Sequence, residues 1–164
     1  MLIACQRVIS MAEYSEIIPG KLVIGRKPIG NFEFTQLKLL GVSAIIDLDA
    51  SSVEKAAVEP RKFDYESFKI ENNYEPIDPD ALKKVVDIID QYVKKGKIVY
   101  LHCFAGRGRS PTCAAAYLIY KGAAYEDAIK KIKDARPEAW TGNDANYAKK
   151  LREFENKIRQ TKTQ

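Results

Sequence analysis

The chain has 164 residues, of which 46% are hydrophobic and 30% charged, a balance typical of one soluble globular domain with a full core. No run approaches the roughly 20 apolar residues of a membrane span, and the net charge of +5 suits an anionic substrate without indicating a stable nucleic-acid complex. Three cysteines, Cys5, Cys103 and Cys113, form no even disulfide framework, and no secretory signal is recognisable. A reducing cytoplasm is therefore the predicted location.

The first half of the chain predicts strands that alternate with helices. A helix is expected to begin at Asn31, whose side chain can cap it, and to end at Leu40 before Gly41. Around it, we predict an N-terminal arm (1–14), strands at 21–25, 42–48 and 65–70, and one or two helical turns at 52–59.

The second half predicts mainly helices. Asp78 followed by Pro79 is a typical helix start, a capping side chain and then a first-turn proline, and this helix should end at Gly96. Further elements are a buried strand at 98–101, helices at 112–120, 125–136 and 144–158, and a frayed tail at 160–164. Together the elements predict one α/β domain over residues 1–164, with helices on both faces of a sheet.

Residues 102–111 have the pattern of a phosphate-binding site. Cys103 follows a buried strand and precedes a short loop that leads into a helix. Gly106 and Gly108 allow backbone angles that turn successive N–H groups into one concavity, and the helix directs its positive end there. Arg109 adds a planar guanidinium that matches two phosphate oxygens. The same positive field favours a thiolate at Cys103, so these residues predict phosphoryl transfer through a phosphocysteine.

The order His, Cys, five residues, Arg, Ser resembles the signature loop of the cysteine-dependent protein tyrosine phosphatases. The continuation through Arg109, Ser110, Pro111 and Thr112 is most similar to the dual-specificity branch. The resemblance implies a mostly parallel central sheet flanked by helices, with a phosphate-binding loop between a strand and a helix N-terminus.

The same resemblance implies a role for each residue of this loop. Cys103 is expected to be the nucleophile, Arg109 the ligand of the phosphate and the transition state, and Ser110 the hydroxyl that eases departure of the thiolate. The substrate phosphate is expected to lie on the phosphate loop, as we call residues 103–109, against Phe104, Ala105, Gly106, Arg107, Gly108 and Arg109.

The stretch 70–78, called the acid loop below, departs from the family pattern. Cysteine phosphatases normally carry an aspartate there as the general acid, and such a proton transfer contributes roughly 10²–10⁴-fold. In this chain the aspartate's place falls on Asn73, or on Asn72 if one residue is deleted, and neither amide can donate a proton as an acid.

Three explanations of the missing acid stay open. Glu75 or Glu71 could move in from the same loop, and Glu75 is the preferred candidate. Asp47 or Asp49 could reach the site from the end of the strand at 42–48. The enzyme could also need no acid, if its leaving group is a phosphate or another oxygen of low pKa.

Three residues outside the phosphate loop proper are assigned mainly structural roles. His102, the only histidine, is expected to support the loop from behind, as in the family. Asn143 is a candidate for support or water placement, with helix capping as the alternative. Cys113 is expected to be a small packing residue. With one histidine and no convincing carboxylate cluster, no metal site and no cofactor are predicted.

Three functions compete on this sequence. The leading prediction is a protein phosphatase for phosphotyrosine, with phosphoserine and phosphothreonine as further substrates. Arg107 places an extra cation in the loop, so a phospholipid, a phosphoinositide or an RNA 5′-triphosphate is the alternative substrate. Because the usual acid is missing, a phosphate-binding module with little turnover is the third candidate. The protein is expected to be a monomer.

Overall fold

The computed structural model describes residues 13–50, 58 and 61–163. The strands are β1 (Tyr14–Ile18), β2 (Leu22–Gly25), β3 (Val42–Asp47), β4 (Asp64–Ser67) and β5 (Ile98–His102). The helices are α1 (Gly30–Leu39), α2 (Pro79–Lys94), α3 (Arg109–Tyr120), α4 (Tyr125–Ala135), a 3-10 helix (Gly142–Ala148) and α5 (Leu151–Lys162).

The five strands form one mostly parallel sheet in the order β1-β2-β5-β3-β4. Only the pair β1 and β2 is antiparallel among the described strands. In the centre, β5 lies between β2 and β3, and Gly25, His102 and Asp47 pair in one row at the carboxyl ends of these strands. A loop that leaves β5 therefore emerges at the edge where ligands bind in such sheets. The predicted fold class is confirmed.

The two faces of the sheet are covered unequally. Ile24, Ile46 and Leu101 point to the larger core, which is completed by side chains of α2, α3, α4 and α5. Their neighbours Val23 and Ile45 point to a smaller core with residues of α1. This alternation is the period of two that strands impose on their side chains. It fixes β5, and with it the start of the phosphate loop, between two apolar layers.

The start of α1 differs from the prediction. The helix begins at Gly30, the residue before it is Ile29, and no side chain at that position caps it. Asn31 lies inside the first turn and accepts a hydrogen bond from Arg61, whereas the Glu33 carboxylate accepts from the Ile29 N–H. The predicted cap was wrong because the Glu33 carboxylate, one turn into the helix, accepts the hydrogen bond from the unpaired N–H at the helix start.

Other boundaries also differ. The predicted helix at 144–158 is two elements, the 3-10 helix and α5, and the strand at 65–70 is the shorter β4. Strand β1 was not predicted. Helix α5 continues through Lys162 and so extends into the tail that was expected to fray. The Lys162 ammonium donates to the Tyr120 carbonyl at 2.8 Å and holds this end of the helix. By contrast, Asp78 accepts from the Asp80 N–H at 2.9 Å and caps α2 as predicted.

Some predictions fall on positions outside the described residues. They include most of the arm at 1–14 and most of the turns at 52–59, of which Val58 alone is described, helical and buried. No helix in the described part of the chain combines the length and the apolar character that crossing a bilayer requires.

Candidate active site

The phosphate loop connects β5 to α3 at the carboxyl edge of the sheet. Cys103 and Arg109, at its two ends, are each 3% exposed, whereas the side chains of Phe104 and Arg107 face outward. Gly106 and Gly108 are buried between them. The loop thus surrounds a cysteine at its floor.

The carbonyl groups of the loop are held by donors from the surrounding protein. Two backbone N–H groups donate to the loop: Lys27 N to Phe104 O at 3.1 Å and Trp140 N to Arg107 O at 2.8 Å. Two side chains donate as well: Arg136 Nε to Gly106 O at 2.5 Å and Thr112 Oγ1 to Gly108 O at 2.8 Å. In a trans peptide the N–H of the next residue points the opposite way. The N–H groups of residues 105, 107, 108 and 109 are therefore turned away from these donors, an arrangement compatible with an anion cradle.

Both glycines of the loop are required by close contacts. Gly106 has φ +70°, and a Cβ there would lie 2.5 Å from the Gly25 carbonyl carbon and 2.7 Å from the Arg26 nitrogen. A Cβ on Gly108 would lie 2.4 Å from a ring carbon of Tyr147. A side chain at either position would push the loop away from its supports.

The sulfur of Cys103 has a hydroxyl beside it. Ser110 Oγ lies 3.5 Å from Cys103 Sγ and 3.4 Å from the Gly25 carbonyl oxygen. His102 is fully buried behind the loop, where its Nδ1 lies 3.0 Å from the Cys103 carbonyl oxygen and its ring stacks on Tyr100. The geometry fits the support role predicted for the histidine.

Arg109 is held by two acceptors from other parts of the sheet edge. Its Nη1 donates to Asp49 Oδ1 at 3.1 Å and to the Ile70 carbonyl at 2.8 Å. The other Asp49 oxygen lies 3.8 Å from Lys27 Nζ. Because both contacts use Nη1, they fix the plane of the guanidinium, and charge-assisted bonds of this kind are the stronger ones.

The acid loop is fastened to Tyr147. The Tyr147 hydroxyl accepts from the Tyr74 N–H at 3.0 Å and donates to Asn72 Oδ1 at 3.1 Å, and its ring packs on Gly108. Burial raises the pKa of this hydroxyl, although the Tyr74 N–H and the charge of Arg109 act in the opposite direction. Asn72 is therefore linked to the phosphate loop through one neutral phenol.

Asn73 and Glu75 are arranged differently from Asn72. The Asn73 Oδ1 accepts from the Glu75 N–H at 3.1 Å, so this amide closes a turn within its own loop. Glu75 itself is exposed. The structure thus identifies Asn72, of the two amides, as the one that faces Tyr147.

The other acid candidates have partners of their own. Asp47 is fully buried and accepts from the Tyr65 hydroxyl at 2.6 Å and the Asp49 N–H at 2.7 Å. Glu71 pairs with Lys69 at 2.8 Å on the surface. Asp49 is held by Arg109 and by Lys27.

Several residues that shape the site carried no recognised signal in the sequence. Arg136 and Trp140 hold loop carbonyls, and Trp140 Nε1 also donates to Thr112 at 2.9 Å. Asn143 is exposed, and its neighbour Asp144 faces the loop instead. Within residues 13–50, 58 and 61–163, no group of His, Cys, Asp or Glu side chains is arranged to hold a metal ion.

Cys113 is the second cysteine near the site. It is fully buried in α3 within the larger core. Burial raises the pKa of its thiol far above the ordinary value, which keeps the sulfur protonated and unreactive. It is a packing residue, as predicted.

Comparison with known proteins places this geometry among phosphatases. Residues 26–157 match the family described as dual specificity phosphatase, catalytic domain. Protein tyrosine phosphatase type IVA 2 of Mus musculus is 30% identical over 126 residues, which are 73% of this chain and 73% of that protein. Dual specificity protein phosphatase 1 of Arabidopsis thaliana is 31% identical over 120 residues, 73% of this chain. Tyrosine-protein phosphatase vhp-1 of Caenorhabditis elegans is 25% identical over 141 residues, 85% of this chain.

The chain spans only part of some of these relatives, 58% of the Arabidopsis protein and 21% of vhp-1. Among solved structures, Tk-PTP in the active form superposes with a TM-score of 0.76 at 23% identity and covers 90% of this chain and 99% of that one. PTPMT1 has the same TM-score and identity, with 92% and 98% covered. At this identity both structures show the shared fold.

Proposed function

This chain belongs to the dual specificity phosphatase family, and from that premise we propose that it hydrolyses phosphomonoesters through a phosphocysteine intermediate. Phosphotyrosine on proteins is the main proposed substrate, with phosphoserine and phosphothreonine as further ones. The observation that carries the proposal is the position of the buried Cys103 sulfur, at the start of a loop in which five of the seven carbonyls accept hydrogen bonds from the donors described above.

In the first half of the reaction, the Cys103 thiolate attacks phosphorus and the bond to the ester oxygen breaks. Arg109 and the inward N–H groups stabilise the charge on the equatorial oxygens. Asp49 is a positioning residue, since it fixes the guanidinium through Nη1. In the second half, water displaces the sulfur, and the Ser110 hydroxyl stabilises the returning thiolate at 3.5 Å.

The source of the proton for the leaving oxygen separates two versions of this reaction. Asp47 and Asp49 are each engaged in other contacts, so Glu75 and an acid-free reaction remain as proposals. The exposed side chain of Glu75 would have to move with its loop. If it does, Glu75→Gln should slow tyrosyl phosphates and flatten the alkaline limb of the pH–rate curve.

The cleft beside the loop favours a protein substrate over a polyanionic one. It has a volume of about 620 Å³, and Ile29 and Phe104 expose apolar surface along it. Each of its four cations already has a carboxylate partner, in the pairs Arg26 with Glu13, Lys27 with Asp49, Arg107 with Asp144 and Arg136 with Glu138. A phospholipid or RNA 5′-triphosphate, the alternative substrates, would have to displace one of these carboxylates.

The test is phosphate release by the purified chain from an aryl phosphate, compared with Cys103→Ser. The rate should fall to background in Cys103→Ser and stay near the wild-type value in the matched control Cys113→Ala. An unaffected rate in Cys103→Ser would refute the phosphocysteine route. No turnover by the wild-type chain, with tight phosphate binding retained, would favour the binding module.

The substrate is then decided by a panel. Phosphotyrosyl, phosphoseryl and phosphothreonyl peptides are compared with phosphoinositide vesicles and an RNA 5′-triphosphate at equal concentrations. We expect the highest kcat/KM with phosphotyrosine. We further propose that the chain acts as a monomeric single domain over residues 1–164, without a cofactor, in a reducing cytoplasm that protects the Cys103 sulfur from oxidation.

A further inference from the structure

One carboxylate that neither the sequence motif nor the resemblance assigned lies against the phosphate loop. Asp144 Oδ1 would be 2.9 Å from a Cβ placed on Gly108, and Asp144 Oδ2 lies 3.7 Å from Arg107 Nε. Because Gly108 has no side chain, the carboxylate and the Tyr147 ring can both approach the loop backbone closely. The side chain is 17% exposed, which leaves it accessible to water.

The 3-10 helix explains why Asp144 points there. Side chains three residues apart eclipse one another in a 3-10 helix, so Asp144 and Tyr147 share a face. Both approach the same glycine, and Tyr147 is fixed by its hydrogen bonds to Asn72 and Tyr74. The contacts that hold Tyr147 therefore also hold the Asp144 carboxylate at the loop.

The chemistry of the site leaves one task without a residue. Hydrolysis of the phosphocysteine requires a water molecule to lose a proton as it attacks, and Asn72 and Asn73 cannot accept that proton as a carboxylate would. Asp49 is bound by a buried guanidinium and by Lys27. The partner of Asp144 is the half-exposed Arg107, at a distance longer than a hydrogen bond, so its oxygens can accept from water.

We propose that Asp144 is the general base of the second half of the reaction. A bond forms between the water oxygen and phosphorus, the phosphorus–sulfur bond breaks, and its electron pair returns to Cys103 as the thiolate. The proton of the attacking water goes to the Asp144 carboxylate and from there to solvent. This assignment rests on the proposed phosphocysteine route, in which the same water step occurs.

The test measures the two halves of the reaction separately in Asp144→Asn. With p-nitrophenyl phosphate, rapid quenching and mass spectrometry give the fraction of chain that carries phosphate on Cys103. We expect kcat to fall by about 10²-fold, the low end of general acid–base effects. The phosphoenzyme fraction should rise at the same time, because formation of the intermediate does not use Asp144.

Two matched variants separate a base from a structural role. Asp144→Glu retains a carboxylate and should recover part of kcat, whereas Asp134→Asn removes a surface carboxylate that pairs with Lys130 on α4 and should leave kcat and the phosphoenzyme fraction at their wild-type values. An unchanged kcat in Asp144→Asn, or a lower kcat without a higher phosphoenzyme fraction, would overturn the proposal. Absence of phosphoenzyme from wild type and every variant, with Cys103→Ser still active, would instead refute the phosphatase mechanism itself.

Discussion

The substitution Asn72→Asp should add the general acid that the acid loop lacks. Asn72 Oδ1 is the acceptor of the Tyr147 hydroxyl at 3.1 Å, and an aspartate has an oxygen in the same place. The change adds no heavy atom, so the loop, its bond from the Tyr74 N–H and the contact of Tyr147 with Gly108 should all persist. The second carboxyl oxygen would then be available to carry a proton.

The size of the gain follows from the fraction of protonated acid. A positioned general acid contributes roughly 10²–10⁴-fold when protonated. With an ordinary aspartate pKa of about 3.9, about 7% of the side chain carries a proton at pH 5. The expected gain in kcat at pH 5 is therefore about 7- to 700-fold for phosphotyrosine, and it should fall about tenfold for each further pH unit.

The assay compares two substrates and a neighbouring variant. Phosphotyrosine, a poor leaving group, should gain, whereas p-nitrophenyl phosphate, which leaves without a proton, should change little. Asn73→Asp is the matched control, because the Asn73 side chain closes its own turn with Glu75 and does not face Tyr147. An equal gain for both substrates, or a gain in Asn73→Asp as large as in Asn72→Asp, would refute the reasoning.

Three further substitutions test the supports of the site and of the core. Gly106→Ala should reduce kcat/KM at least about 10²-fold and lower the free energy of unfolding in urea by about 1–3 kcal/mol, because the new Cβ would lie 2.5 Å from backbone. Gly20→Ala is the control, since Gly20 has a similar φ but open space around it. Asp49→Asn should lower kcat about tenfold or more and leave the phosphate loop folded, and an unchanged kcat would show that Arg109 needs no anchor. Burial by itself would raise the pKa of the Asp90 carboxyl, but hydrogen bonds from lysines outweigh this effect and lower the pKa. The ionised carboxylate therefore stabilises the fold at pH values above its pKa in the unfolded chain, about 3.9. This stabilisation is lost as the pH falls through the lower pKa of the folded state. The free energy of unfolding of Asp90→Asn should therefore lie about 1 kcal/mol below wild type at pH 7, and the two should converge near pH 2.

The strand and helix pattern was predictable because it depends on neighbours in sequence. The apolar run at 98–101 became β5, and the Asp78-Pro79 start became the capped end of α2. The cap of α1 and the division of the last helix were not predictable. At α1 the competing acceptor is the Glu33 carboxylate, four residues after Ile29, which the capping pattern of Asn31 did not take into account. In the last helix, Tyr147 of the 3-10 helix packs on Gly108, a contact distant in sequence that no local pattern reports.

The sequence by itself determined the proposed nucleophile, the phosphate loop and the presence of asparagines at the general acid's place in the acid loop, since all three are written in short contiguous stretches. Only the tertiary structure decided which residues support them. Asp49 lies 60 residues from Arg109, and Tyr147 lies 75 residues from Asn72. Such contacts arise where the carboxyl ends of parallel strands converge, and no local pattern encodes the partner. For the same reason Asp144 became a candidate for the base only through its position in the 3-10 helix, close to Gly108.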